Sequence, residues 1–163
     1  DPRAERGVGD EVEAINISEL LHELYVRYTP EARAKTLAFD LDVQTDMPLV
    51  KTSRLYLEEI LQNVITNAIK YTKEGSVTLG AKMLEDNTVI RFWITDTGIG
   101  MSKPDQERIF EKFYRSEDYR TRETSGTGLG LYVVSKLATK LGTKIEVDSR
   151  LNHGSTFSFE LKI

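Results

Sequence analysis

The chain has 163 residues, a formal net charge of −4 and no cysteine. That length suits one domain with a substantial core, and the charge offers no broad basic field to nucleic acid or to an anionic membrane. The lack of cysteine excludes disulfides and thiolate metal sites and is compatible with cytoplasm, and no apolar run approaches the roughly 20 residues of a membrane helix.

Residues 1–14 are polar, carry two glycines and begin Asp1-Pro2-Arg3 without a Met. They are expected to be a linker or the frayed end of a preceding segment, in a piece of a longer protein whose domain proper spans 15–163. From Ile17 to Tyr28 the spacing of Leu20, Leu21, Leu24 and Tyr28 is helical, with Ser18 as cap and Pro30 limiting its extension. Thr36 to Val43 alternates, with Leu37, Phe39, Leu41 and Val43 against Ala38, Asp40 and Asp42, and reads as a strand with one buried face.

Thr52 to Thr72 is the longest expected helix, capped by Thr52 or Ser53, with Gly75 beyond its end. Strands at Ser76–Leu84 and Thr88–Asp96 are joined by a turn at Glu85-Asp86-Asn87. Residues 97–126 hold few apolar side chains, so a long irregular stretch is expected there, with a short helix near Gln106–Phe110. A second amphipathic helix is expected from about Gly128 to Leu141, ending at Gly142. Strands at Lys144–Asp148 and Thr156–Ile163 follow, around a turn at Asn152-His153-Gly154. Hairpin-linked, one-sided strands with three helices predict an α+β fold, with a mixed, mostly antiparallel sheet and the helices on one face.

Three patterns carry chemistry. On the long helix, at about 100° per residue, Glu59, Lys70, Asn63 and Asn67 fall within about 80° of one another, at the border of the apolar face. Asn is a weak helix former, so two of them need a reason. Either they bond locally along a solvated edge, or carboxamide oxygens at i and i+4 hold a hard cation while Lys70 faces phosphate. In the strand ending at Asp96, parity places that carboxylate on the face of Ile90, Phe92 and Ile94. Its partner is then a backbone amide of the following turn, or the exocyclic amine of a purine approaching Gly98 and Gly100. Finally, Gly126-Thr127-Gly128-Leu129-Gly130-Leu131 opens a helix. It is either an anion site of free backbone N–H groups or a flexible hinge. The G-x-G-x-G spacing after a loop is not a dinucleotide fingerprint, and neither a Walker sequence nor a His-Arg-Asp or Asp-Phe-Gly set is present.

In this order, the patterns resemble the nucleotide boxes of the histidine-kinase catalytic domain, within the Bergerat-fold ATPase superfamily. The N box is Asn63 to Thr72, the first glycine box Asp96 to Gly100, the F box Phe110 to Arg115, and the second glycine box Gly126 to Leu131. The resemblance, which runs from about Ile17 to Ile163, implies a two-layer α/β sandwich with a mobile ATP lid. It implies that Asn67 with Asn63 holds Mg²⁺, that Lys70 contacts phosphate, that Tyr71 lines the pocket and that Asp96 reads adenine. Gly98, Gly100, Gly126, Thr127, Gly128, Leu129, Gly130 and Leu131 would shape the phosphate cradle, with Lys112, Arg115 and Thr156 as further ATP contacts. The basic loop from Arg115 to Arg122, with Arg120 inside it, would be the lid, or else simply a solvated loop. Phe110 and Phe113 are expected to be core aromatics that also fasten the lid.

Hydrolytic members of the superfamily carry Glu four residues before the metal-binding Asn. Here that position is Asn63, and Glu59 lies about 12 Å along the helix axis from Asn67, too far to substitute. The resemblance therefore implies phosphoryl transfer from ATP to a histidine outside this chain, on a dimerisation and phosphotransfer segment whose end residues 1–14 could be. A response regulator would be the further partner, and neither nucleic acid nor membrane would contact this domain, a cytoplasmic part of a membrane-anchored parent. His22 is expected to be a decoy, because it sits only 41 positions before Asn63, and His153 has no role. A Bergerat ATPase that drives conformational change, or a non-catalytic nucleotide-sensing module, are the alternatives.

Overall fold

The computed structural model describes residues 11–116, 118 and 130–163. The first element, β1 (Glu13–Ile15), pairs antiparallel with β3 (Val50–Thr52), Glu13 opposite Thr52 and Ile15 opposite Val50. Neither strand was expected, because three residues are too few for an alternation to register. The folded unit thus begins inside the stretch expected to be linker.

Helix α1 (Ile17–Ala34) is capped by Asn16, not Ser18. Asn16 is extended, and its side-chain oxygen accepts from the Glu19 N–H at 3.1 Å. The helix also runs through Pro30 instead of stopping there. The proline removes the N–H that would reach the Val26 carbonyl, and the Thr29 hydroxyl bonds the neighbouring Tyr25 carbonyl at 2.6 Å without replacing it. Ala32, fully buried beyond the proline, continues the apolar face, so packing overrides the local break.

Helix α2 (Arg54–Lys70) is capped by Ser53, whose hydroxyl oxygen accepts from the Tyr56 N–H at 3.2 Å. Its apolar stripe from Leu57 to Ile69 is buried, as the sequence periodicity requires. The main sheet has the order β2-β4-β5-β7-β6, formed by β2 (Ala38–Val43), β4 (Ser76–Leu84), β5 (Val89–Asp96), β7 (Gly154–Lys162) and β6 (Glu146–Arg150). Only β2 and β4 are parallel; the other neighbours are antiparallel. The β4–β5 turn places Glu85, Asp86 and Asn87 all at positive φ, a conformation that Asn and Asp tolerate better than most residues.

One face of the sheet presents Val77, Leu79, Ile90, Phe92, Ile94, Phe157, Phe159 and Leu161 to the helices, and the Phe92 and Phe159 rings stack at 4.8 Å. Helices α1 and α2 lie on this face, and α4 (Gly130–Lys140) packs against α2, burying Val134, Leu137 and Ala138. A short α3 (Lys103–Arg108), capped by Ser102, starts three residues before its expected position. On the opposite face the Trp93 ring lies across Gly80, where a Cβ would approach it to 2.2 Å. The architecture is the α+β two-layer sandwich expected, with α3 added to three longer helices among the described residues.

Candidate functional site

The polar row on α2 faces a cleft of about 670 Å³, a size that suits a small-molecule ligand. Asn63, Asn67 and Lys70 line it together with Tyr71, Asp96, Gly100, Arg115, Gly130 and Leu131. The Asn63 amide nitrogen donates to the Glu59 carbonyl at 2.7 Å, which is the local bonding of a solvated edge and leaves its oxygen without a hydrogen bond among the described residues. The Asn67 carboxamide makes no hydrogen bond among the described residues, so its oxygen is available to a ligand. No group of three or more His, Asp or Glu could hold a metal among the described residues. A hard cation would therefore need these carboxamides together with ligand oxygens.

Lys70 lies one turn beyond Asn67, its ammonium 5.6 Å from the centroid of the Tyr71 ring. Burial, and then the Arg115 charge, lowers its pKa, whereas burial raises that of the Tyr71 phenol. Two cations crowded at one end of a half-enclosed cleft repel each other, and an anion between them would relieve that repulsion.

Asp96 closes the opposite wall. It is 7% exposed at the end of β5, on the face that parity assigned to it. Its Oδ1 accepts from the Gly98 N–H at 2.8 Å and the Ser155 N–H at 3.3 Å. No hydrogen bond among the described residues reaches Oδ2, so both partners foreseen for this carboxylate have an oxygen. Burial raises the Asp96 pKa, and the two backbone amides pull it back.

Gly98 supports the cleft without lining it. A Cβ there would come within 2.4 Å of the Tyr71 carbonyl, so only glycine lets the loop after β5 press against the end of α2. Gly100, at φ +64, would place a Cβ 1.9 Å from the Arg150 carbonyl. Gly130 opens α4 and faces Asn63 across the cleft. Gly126, Thr127, Gly128, Leu129, Arg120 and Arg122 lie outside the described residues.

Three expectations are corrected. Thr156 points to the far face of the sheet, where its hydroxyl meets that of Thr95 at 3.0 Å; the adjacent Ser155 faces the cleft instead. Lys112 is exposed and does not line the cleft; its ammonium lies over the Phe113 and Tyr132 rings, at 5.4 and 5.8 Å. Phe113 is 63% exposed at φ +65 and is no core residue, whereas Phe110 meets Phe157 edge-on at 6.4 Å. The sequence reading also missed Lys35 and Glu31 of α1, and Asp105, Tyr114 and Ser116 around α3, all of which line the cleft. Asp105 accepts from both the Tyr114 and Ser116 hydroxyls. His22 is exposed on α1 and His153 in a turn; neither lines the cleft.

A carboxamide row facing a buried carboxylate, across a cleft between helices and sheet end, defines a nucleotide-binding α/β sandwich. Residues 52–163 match the family of histidine kinase-, DNA gyrase B- and HSP90-like ATPases, and the chain belongs to that family. It is 38% identical over 153 residues to the sensor protein GacS of Pseudomonas syringae, covering 91% of this chain and 17% of that protein. It is 34% identical over 152 residues to the histidine protein kinase SaeS of Staphylococcus epidermidis, covering 93% and 43%. The chain thus spans less than half the length of these curated relatives.

Full-length ShkA, solved in complex with AMPPNP, superposes with a TM-score of 0.84 at 30% identity, over 97% of this chain and 32% of that one. The nucleotide-free catalytic domain of the histidine kinase ThkA superposes at 0.79 and 27% identity, over 93% and 97%. No helix among the described residues is long and apolar enough to cross a membrane.

Proposed function

We propose that this chain is the ATP-binding catalytic domain of a two-component sensor histidine kinase. It transfers the γ-phosphoryl group of ATP to a histidine on a separate dimerisation and phosphotransfer segment, and a response regulator is the further partner. The stretch ahead of β1 leads in from that segment. The parent protein is membrane-anchored, and this domain works in the cytoplasm without touching the membrane.

Asp96 Oδ2 accepts from the adenine amine, with Oδ1 already fixed by the Gly98 and Ser155 amides. Tyr71 and Leu131 contribute apolar wall, and Lys70 and Arg115 face phosphate oxygens. Gly130, at the start of α4, and Gly126, Thr127, Gly128 and Leu129 before it, outside the described residues, are phosphate contacts in this reading. The donor set suits Mg²⁺, held by Asn67 and Asn63 and completed by phosphates; when bound it would neutralise their charge. A neutral imidazole is already nucleophilic. It forms the P–N bond as the bond to the bridging oxygen of ADP breaks, so the domain has only to position ATP and offset charge.

The observation that carries transfer over hydrolysis is the carboxamide of Asn63. It faces the cleft where hydrolytic relatives place Glu, while Glu59 is exposed and outside the cleft. Of the acids that do line it, Asp96 is held by backbone amides and Asp105 by two hydroxyls, and Glu31 stands close enough to act on the Lys35 charge. Two assays test the reading. An ATP analogue should bind more tightly with Mg²⁺ than without it, and label from ATP should pass to a supplied histidine domain, not to His22. Sustained phosphate release with no acceptor present would favour an ATPase, and binding without transfer would favour a sensing module.

A further inference from the structure

The C-terminal end of α2 and the turn after it have their carbonyls engaged, and two partners, Lys35 and Ile99, come from outside the local chain. The Asn67 carbonyl accepts from the Tyr71 N–H at 3.1 Å, and the Ala68 carbonyl from the Thr72 hydroxyl at 2.7 Å. The Tyr71 carbonyl accepts from the Ile99 N–H at 3.3 Å. The Ile69 carbonyl has only a long bond from the Thr72 N–H, 3.4 Å, and the Lys70 carbonyl has no backbone donor among the described residues. Both are taken by the Lys35 ammonium, at 2.6 and 3.1 Å.

Lys35 is the residue at which α1 ends, 34 positions from the first of these carbonyls. Its charge is set against the negative end of the α2 dipole, the favourable placement for a cation. It also lines the cleft. Burial and Lys73 make its ammonium harder to keep charged, and Glu31 opposes them.

The geometry points to Lys35 as a positioning residue for nucleotide binding, tying α1 to the turn of α2 from which Asn67, Lys70 and Tyr71 project. Without the tie, the Lys70 carbonyl loses its donor, the Ile69 carbonyl keeps only its long bond from the Thr72 N–H, and the turn frays. The three side chains then no longer face Asp96 in fixed register. The loop after β5 holds the same turn from the other side through Ile99, so the turn is gripped between two elements. The inference rests on the nucleotide reading of the cleft.

Lys35→Met and Lys35→Arg in the whole chain test it, with a non-hydrolysable ATP analogue as probe. Lys35→Met should raise the analogue Kd about fivefold to tenfold, less than the roughly tenfold or more expected when a charged bond to the ligand itself is lost, because the tie acts only through the turn. Amide hydrogen exchange should quicken at Tyr71, Thr72 and Ile99 while the β5 and β7 amides keep their protection. Lys35→Arg should restore both. An unchanged Kd with a lowered unfolding midpoint would overturn the inference, because it would show a purely structural tie. A raised Kd with no change in exchange would overturn it too, by making Lys35 a direct ligand contact. If the wild type binds no analogue, the nucleotide reading falls, and exchange at Tyr71 alone decides whether Lys35 holds the turn.

Discussion

Replacing Asp96 by Asn separates its hold on two backbone amides from the adenine contact proposed for it. Asn keeps an oxygen able to accept from the Gly98 and Ser155 amides, 2.8 and 3.3 Å from Oδ1, so the loop after β5 should hold. The second oxygen becomes an NH₂ group that presents donors to the donor amine of adenine. Losing a hydrogen bond to a charged group costs about 1.5–3 kcal/mol, so ATP-analogue affinity should fall roughly 10-fold to 150-fold. Stability at neutral pH should hold or rise, because a buried charge that burial already disfavours has been removed. Asp96→Ala, by contrast, strips both amides of their acceptor and should cost about 1–3 kcal/mol of stability as well as affinity.

Burial holds the native pKa of Asp96 above its ordinary 3.8, so the folded state takes up the proton first. The stabilisation that protonation brings is complete below that value and fades as pH rises through the higher native pKa. Asn does not titrate. The advantage of Asp96→Asn over wild type should therefore grow as the pH is raised from about 4 to about 7. Urea unfolding across that range and calorimetric titration with the analogue check both halves. Wild-type affinity in Asp96→Asn, or a stability loss in it as large as in Asp96→Ala, would refute the reasoning.

Asn67→Ala should abolish Mg-ATP-dependent transfer to a supplied histidine domain, read as label on that domain, while the fold survives because the carboxamide makes no hydrogen bond among the described residues. Gly80→Ala should displace Trp93, whose ring a new Cβ would meet at 2.2 Å; as the only tryptophan, it reports the change by an altered emission maximum. Pro30→Ala should raise the urea midpoint, worth up to about 3 kcal/mol, because it restores an N–H inside a helix that continues to Ala34.

Much of the site could be read from periodicity. Counting by twos along β5 put Asp96 on the core face, and counting by 100° along α2 put Asn63, Asn67 and Lys70 on one border. The same counting along β7 puts Ser155 on the face of Phe157 and Phe159, and Thr156 on the other. Other features left no local trace. Lys35 reaches carbonyls more than thirty residues away, and nothing near it in sequence marks that reach. Strands β1 and β3 exist only because they meet, three residues against three. Pro30 misled because its local cost is real, but the buried contact of Ala32 lies beyond the local window. Phe113 looked like core by type, and its positive φ turns it outward.

Strand β7, the last of the sheet in chain order, is not laid on an edge. It inserts between β5 and β6, and its Ser155 amide completes the hold on Asp96. During synthesis, therefore, the Asn-bearing helix and the Asp-bearing strand emerge early, yet no competent pocket can close until the final hairpin has docked. A chain stopped short of β7 would lose an interior strand, and with it one of the two amides that fix Asp96. Such a fragment should have no foothold for ATP. Nucleotide occupancy would then mark a domain whose sheet is complete.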